Sequence, residues 1–346
     1  MTFSDFGGLD RLRVEQAVAP EPGQGEALVR VAAAAVNHLD LDMLSGTSRY
    51  PIMPPHTLGM EAVGEVETVG PGVVDVSAGD RVMVACDIVC RSCEYCLQGR
   101  DNLCKDAYRP GWTHPGAYAE LMIVPARGLY LLPDAVSFEA AAALQIGFGT
   151  AWHMLMTRGH IRTAEWVLVN GAAGSIGLAA LQVAKLAGAR VIAASASAEK
   201  RRRLVAEGAD AVADYTSASF VSEVRRLTDG NGADVVYEHV GGTLLARSLE
   251  CLRDGGRLLT CGGHGGETSQ LDIIPFFRRE LTIIGCNSAT QDDIRLVLEL
   301  VSAGRLRPVI AARFPLEQAA DALRVLMYRR NFGRVLILPS AETRSA

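Results

Sequence analysis

Four cysteines, Cys90, Cys93, Cys96 and Cys104, fall in the run CRSCEYCLQGRDNLC at a spacing that suits one tetrahedral ion. Thiolates are favoured donors for zinc, and four of them leave no open position for water or substrate, so the expected site is structural, with one Zn²⁺ per chain. Cys86, four residues earlier, fits the set less well. Cys251, Cys261 and Cys286 are scattered among apolar neighbours and read as buried core thiols. A second motif is the loop NGAAGSIG over 170–177, which carries Gly171, Gly174 and Gly177. Between a strand and a helix, glycines at this spacing let the backbone approach a pyrophosphate. Its charge then faces the positive helix end formed by Gly174, Ser175 and Ile176.

The end of the following strand distinguishes the dinucleotides. It reads Ser195-Ala196-Ser197, followed by Lys200, Arg201, Arg202 and Arg203. An acid at this place would accept from a ribose 2′-hydroxyl and repel a 2′-phosphate, whereas small hydroxyl residues backed by cations suit the phosphate. NADPH is therefore the expected cofactor, with Arg202 and Arg203 on a solvated helix face.

These motifs need elements to hold them. Runs such as 26–36 and 64–70, rich in β-branched residues and bounded by Gly and Pro, make the first 120 or so residues β-rich. From 137 the Ala-rich stretch SFEAAAALQIGFGTAWHMLM reads as one or two helices. Strands then alternate with helices: strands at 166–170, 190–195, 233–240, 256–262 and 281–287, helices at 175–188, 198–208 and 244–252. Continuous apolar strands in such alternation mean a parallel sheet covered on both faces, an α/β fold. The chain ends with helices and a strand at 333–339, and the tail SAETRSA reads as frayed.

Composition bounds the rest. With 346 residues, 49% of them apolar, the chain can build two domain cores and cannot be a disordered protein. A net charge of −5 with mixed signs argues against nucleic acid as a partner. No apolar run reaches the length of a membrane span, and the first residues lack a signal-peptide pattern, so the expected location is cytoplasmic.

Together these features resemble the medium-chain dehydrogenase/reductase superfamily, its zinc-type alcohol dehydrogenases and their quinone-reductase-like relatives. The resemblance covers almost the whole chain. It implies a GroES-like catalytic domain over 1–147 and 289–346 with the zinc lobe at 86–104, and a Rossmann dinucleotide-binding domain over 148–288. In that family a catalytic zinc is held by a Cys in a Cys-His-x-Asp-like segment, a His in Gly-His-Glu-x-x-Gly, and a later Cys or acid. The matching segments here are Asn37-His38-Leu39-Asp40, Gly59-Met60-Glu61-Ala62-Val63-Gly64 and Gln145-Ile146-Gly147. Asn37, Met60 and Ile146 thus stand at ligand positions, and neither an amide, a thioether nor an alkyl group suits Zn²⁺ there.

The resemblance then implies a reductase that passes hydride from NADPH to an activated alkene or quinone without catalytic zinc. Two alternatives stay open. One is an alcohol or aldehyde dehydrogenase, with no catalytic metal or with one on His38, Asp40 and Glu61; the other is a cofactor-binding sensor or structural protein with little turnover. By the same resemblance, Asn37 and Asp40 lie at the substrate end, and His38 faces the cofactor pyrophosphate. Lys200 and Tyr215 meet the 2′-phosphate, and Val240, Gly241 and the loop Cys261-Gly262-Gly263-His264 line the nicotinamide half. Tyr50, Trp112, Phe148 and Trp152 line the pocket or pack in the core. The strand LTIIGCN over 281–287 pairs, in relatives, across a two-fold axis, so a homodimer is expected.

Overall fold

A computed structural model describes residues 1–48 and 52–339. Tyr50 and the SAETRSA tail lie outside the described residues. Contacts divide the chain into two units, Met1–Ile146 with Val301–Ala346, and Gly147–Leu300. The second boundary thus falls after the helix Gln291–Ser302 begins its last turn, not at 289. That helix belongs with the second unit because Asp293 near its start accepts hydrogen bonds from Thr157 at 2.6 Å and pairs with His153 Nδ1 at 2.7 Å.

In the first unit, strand Glu26–Ala35 is the hub. It pairs antiparallel with Glu61–Val69, with Leu121–Pro125 and, at its far end, with Arg334–Leu338. Arg81–Val84 and Leu129–Leu131 continue the sheet on one side and Ile310–Pro315 on the other. The inward residues Ala27, Val29, Val31, Val66, Val82, Met122 and Ile337 share one core. Here the alternation of strand geometry puts apolar side chains on the buried face. The C-terminal strand is therefore built into the first unit, and this later brings Arg334 to Glu61.

The second unit is a parallel sheet of six strands. In chain order these are Trp166–Val169, Arg190–Ala194, Ala211–Ala213, Ala233–Glu238, Leu252–Thr260 and Thr282–Gly285. Side by side they run third, second, first, fourth, fifth, sixth. The order reverses between the first and fourth strands, the place where such sheets leave a crevice at their C-terminal ends. Both cofactor-loop candidates, 170–177 and 239–242, lie at those ends. The strand Ala211–Ala213 and helix Phe220–Leu227 carry too few consecutive apolar residues to stand out in sequence, yet Phe220 and Val224 are fully buried.

The stretch after 137 differs from the expected simple helices. A short α-helix, Phe138–Ala142, is followed by π-helical turns Gln145–Gly149 and His153–Arg158 around Thr150–Trp152. Gly147 and Gly149 weaken regular α-helix here. A side chain at Gly149 would meet Ile294 Cδ1 at 2.4 Å, so glycine is needed for the packing as well.

Candidate active site

The lobe cysteines converge. Helix Glu94–Leu97 starts at Cys93, and a 3₁₀ turn, Asp101–Leu103, folds Cys104 back onto it. The sulfurs of Cys90, Cys93, Cys96 and Cys104 all lie within 4.8 Å of one another, the one such donor cluster among the described residues. Cys90 and Cys96 are 3.8 Å apart and Cys93 and Cys96 3.5 Å. Metal–sulfur bonds of about 2.3 Å in a tetrahedron need sulfur separations of about 3.8 Å. The amides of Ser92 and Cys93 donate to Cys90 Sγ at 3.5 and 3.3 Å, and the Cys90 amide donates to Cys104 Sγ at 3.4 Å. Such bonds favour thiolate, and those from Ser92 above all bring the Cys90 thiol down to about 6. The donor set fits zinc. Cys86 stands apart, buried, its thiol pushed well up by desolvation. Of the three scattered cysteines only Cys251 is fully buried; Cys261 and Cys286 are half-buried at strand ends, where the sheet opens to its loops.

The glycine loop divides its labour. At Gly177 a Cβ would sit 2.5 Å from the backbone of Gly171 and Ala172, so this glycine lets the helix pack against the strand. Gly171 takes φ +58°, in the left-handed region. Gly174, by contrast, faces open space, its nearest neighbour being the Gly171 carbonyl at 3.5 Å. It begins the helix Ser175–Leu186 with no side chain capping the first turn. Gly174, Ser175 and Ile176 are half-buried at this helix start, and the Gly174 amide closes the loop on the Gly171 carbonyl at 3.0 Å.

At the second strand end, Ser195 is buried, and Ser197 caps helix Ala198–Ala206 by accepting from the Lys200 amide at 3.3 Å. Arg201 is committed to the protein: it donates to the Ser195 carbonyl at 2.6 Å and pairs with Asp214 at 2.9 Å. Arg202 and Arg203 are exposed, as expected of a solvated face, and Lys200 and Tyr215 are half-buried. Gly241 and Gly262 are crowded by backbone. A Cβ on Gly241 would lie 2.6 Å from the Gly266 carbonyl, and one on Gly262 2.3 Å from that of His239. Their freedom serves loop-on-loop packing. Only Gly263, with nothing nearer than 3.5 Å, leaves room beside it.

In the first unit two of the three positions expected to lack zinc donors, Asn37 and Ile146, meet on one carboxylate. Asn37 Nδ2 donates to Glu61 Oε2 at 3.2 Å, and the Ile146 amide donates to Glu61 Oε1 at 2.9 Å. Arg334, from the C-terminal strand, pairs with the same carboxylate, and both side chains are buried. Met60 is buried in the apolar core. Asp40 closes the first turn of helix His38–Ser45: its Oδ2 accepts from the Asn37 amide and from the Tyr118 hydroxyl, each at 2.8 Å. Asp40 has no exposed surface, and its Oδ1 is buried without a hydrogen-bond partner. Burial pushes its carboxyl up to about 6, partly opposed by the Asn37 amide, Tyr118 and Arg334. Asp40, expected at the substrate end, is thus fully buried beneath the Asn37 amide. His38 is exposed on the first helical turn, away from any donor cluster with Asp40 and Glu61, so the alternative metal set is not assembled. Trp112 is half-buried against the core of the first unit. In the second unit Phe148 is buried and Trp152 half-buried.

Comparisons with known proteins agree with this layout. A family model described as alcohol dehydrogenase GroES-like domain matches residues 23–134, and one described as zinc-binding dehydrogenase matches 175–303. A solved NAD-dependent alcohol dehydrogenase is 39% identical, aligned over 98% of this chain and 99% of that one, with a TM-score of 0.91. Acryloyl-coenzyme A reductase of Metallosphaera sedula is 34% identical over 94% of this chain and 95% of its own length. Quinone oxidoreductase of Rattus norvegicus is 30% identical over 96% of this chain and 95% of its own. The chain belongs to the medium-chain dehydrogenase/reductase superfamily.

It is thus an oxidoreductase-family protein with a GroES-like unit and a Rossmann unit. Within the superfamily, sequence reasoning found the lobe and the glycine loop. It missed Arg334 and Tyr118, which no local motif marks, because they reach Glu61 and Asp40 only through sheet pairing. No helix among the described residues is long and apolar enough to cross a membrane.

Two outcomes follow from this geometry. Cys93→Ser should remove the bound zinc and lower soluble yield and melting temperature, because a metal held only by the fold stabilises it; metal analysis showing full zinc in a stable variant would overturn the lobe. At Asp40, a raised folded pKa means the folded chain keeps a proton that the unfolded chain has released. Its contribution is present at acid pH and is lost as pH rises from about 4 through about 6. Asp40→Asn should therefore gain on the parent chain between pH 4 and 7, by up to about 3 kcal/mol in urea titrations. A pH-independent difference would rule out a buried titrating Asp40.

Proposed function

We propose that this chain is an NADPH-dependent reductase of activated alkenes or quinones that works without a catalytic zinc. One observation carries the reading. At the positions where zinc-type relatives gather metal donors, Asn37 and the Ile146 amide are instead hydrogen-bond donors converging on Glu61, and Met60 is a buried thioether. The three residues do not fit a dication, so no step is routed through one. Relatives named as acryloyl-coenzyme A reductase and quinone oxidoreductase support the substrate class.

The reduced nicotinamide supplies hydride when bound. The chain's own residues do the rest. Gly174, Ser175 and Ile176 hold the pyrophosphate at the helix start, and His38 is a further candidate for cofactor binding. Ser195, Ser197, Lys200 and Tyr215 hold the 2′-phosphate, and Val240, Gly241, Gly262 and Gly263 flank the nicotinamide half. Addition of hydride to a conjugated carbonyl places charge on an enolate oxygen, and a fixed donor stabilises it without a metal. Asn37 is our candidate, held rigid by Glu61 and by Asp40 beneath its amide. The proton for the adjacent carbon comes from solvent.

A second reading, an alcohol dehydrogenase, is favoured by the 39% identity to the NAD-dependent enzyme. Steady-state oxidation of NADPH with a panel of enones, quinones and aldehydes separates them. Turnover of the conjugated substrates with one zinc per chain is expected; alcohol oxidation with two zincs would replace our reading with the second. Silence on every substrate despite tight NADPH binding would favour a sensor.

The edge strand Thr282–Gly285 and the neighbouring helix Ile273–Arg278 expose Ile273, Ile274, Phe277 and Ile283. Apolar edges of this kind are normally covered, and we propose a homodimer across them, in the cytoplasm.

Cofactor choice has its own test. Lys200→Ala should raise KM for NADPH at least tenfold and KM for NADH less than twofold. An equal rise for both would remove the 2′-phosphate assignment.

A further inference from the structure

Glu238 ends the fourth strand of the parallel sheet and has no exposed surface. No cation pairs with it among the described residues; neutral donors surround it instead. Its Oε1 accepts from the amides of Val240 at 2.5 Å and Gly241 at 2.9 Å. Its Oε2 accepts from Asn170 Nδ2 at 2.7 Å, and the Ser248 hydroxyl lies 3.2 Å away. The second amide hydrogen of Asn170 goes to Ser248 Oγ at 2.7 Å. One carboxylate therefore joins three pieces of chain: the residue before the glycine loop, the turn after the fourth strand, and helix Thr243–Glu250.

The turn it holds is crowded and built on glycine. Gly241 and Gly242 take φ +82° and +60°, in the left-handed region. The next loop rests directly on them, with the Gly265 amide donating to the Val240 carbonyl at 2.6 Å and the Gly242 amide to the Gly266 carbonyl at 2.8 Å. A Cβ on Gly241 would lie 2.6 Å from the Gly266 carbonyl and 2.8 Å from Gly263 Cα, so the 262–266 loop sits directly against this turn. A turn with two left-handed glycines has little conformational preference of its own. An acceptor placed beneath the Val240 and Gly241 N–H groups ties it to the end of the fourth strand.

We infer that Glu238 is a positioning residue for the nicotinamide half of the cofactor site. By accepting from Val240 and Gly241 it sets the turn on which the 262–266 loop is seated. The inference rests on the proposed dinucleotide reading, and what matters in it is an acceptor at Oε1. A glutamine keeps that acceptor; a methionine of similar size does not, and leaves two backbone donors buried without a partner.

The test compares Glu238→Met with Glu238→Gln in the full chain. Kd is measured by fluorescence titration for NADPH and for adenosine 2′,5′-bisphosphate, which has the adenine end and no nicotinamide. Glu238→Met should weaken NADPH at least tenfold and leave the bisphosphate within twofold, while Glu238→Gln stays within threefold for both. NADPH binding within twofold of the parent by a folded Glu238→Met, or equal losses for the two ligands, would overturn the inference. Should Glu238→Met not fold, hydrogen exchange on the parent chain decides: the Val240 and Gly241 amides should be protected, and fast exchange there overturns it. If the parent binds neither NADPH nor NADH, the dinucleotide reading itself has failed, an outcome separate from these.

Discussion

The first unit is organised around one buried ion pair, Glu61 with Arg334. Both ends are removed from water, Arg334 so thoroughly that desolvation lowers its guanidinium to about 10. A pair in such a place gains little net stability by itself, because desolvation offsets most of the attraction. Removing one partner is another matter, since an uncompensated buried charge is left behind. The pair therefore acts as a constraint: the strand that carries Arg334 must reach the strand that carries Glu61. The remaining lone pairs of Glu61 take the Asn37 amide group and the Ile146 backbone, so the helix start at 37 and the turn at 146 are fixed by the same carboxylate.

Glu238 plays a related part in the second unit with different compensation. It has no cation, and four hydrogen-bond partners satisfy it. In each unit, then, a strand-borne carboxylate joins segments distant in sequence at the place where chemistry is expected. Packing alone would not do this. Apolar contacts tolerate small slides, whereas a buried acceptor with several convergent donors loses much of its solvation if any of them moves.

This division explains what could be read from the residues. Short-range patterns were legible: the spacing of Cys90, Cys93, Cys96 and Cys104, the glycines of 170–177, and the strand–helix alternation after 166. Each is a local rule, satisfied within a few turns of chain. The carboxylate hubs were not legible, because Arg334 lies far along the chain from Glu61, and Asn170 far from Glu238. The neighbours that crowd the glycines after the fourth and fifth strands could not be read from the residues. A side chain at Gly241 or Gly262 would meet the backbone of Gly266 or His239, each brought there by the fold. The π-helical turns at Gln145–Gly149 and His153–Arg158 escaped for a similar reason, since Ile294, which crowds Gly149, comes from a distant helix.

The same electrostatics bear on the chemistry. A dication at a site can stabilise several nearby carboxylates at once, and residues around it are free to stay ionised. A donor set of amide, thioether and alkyl group at positions 37, 60 and 146 brings no such charge, so each carboxyl of the cluster needs compensation of its own. Glu61 has Arg334 and two N–H donors. Asp40 has one hydroxyl and backbone N–H groups, no adjacent cation of its own, and an Oδ1 with no partner. The carboxyl meets this by holding its proton more tightly, up to about pH 6. Substituting the ligand positions thus changes more than the electrophile available to a substrate. It leaves beneath Asn37 a hydrogen-bonded set of carboxyls, in which Glu61 is balanced by Arg334 and Asp40 by its grip on a proton.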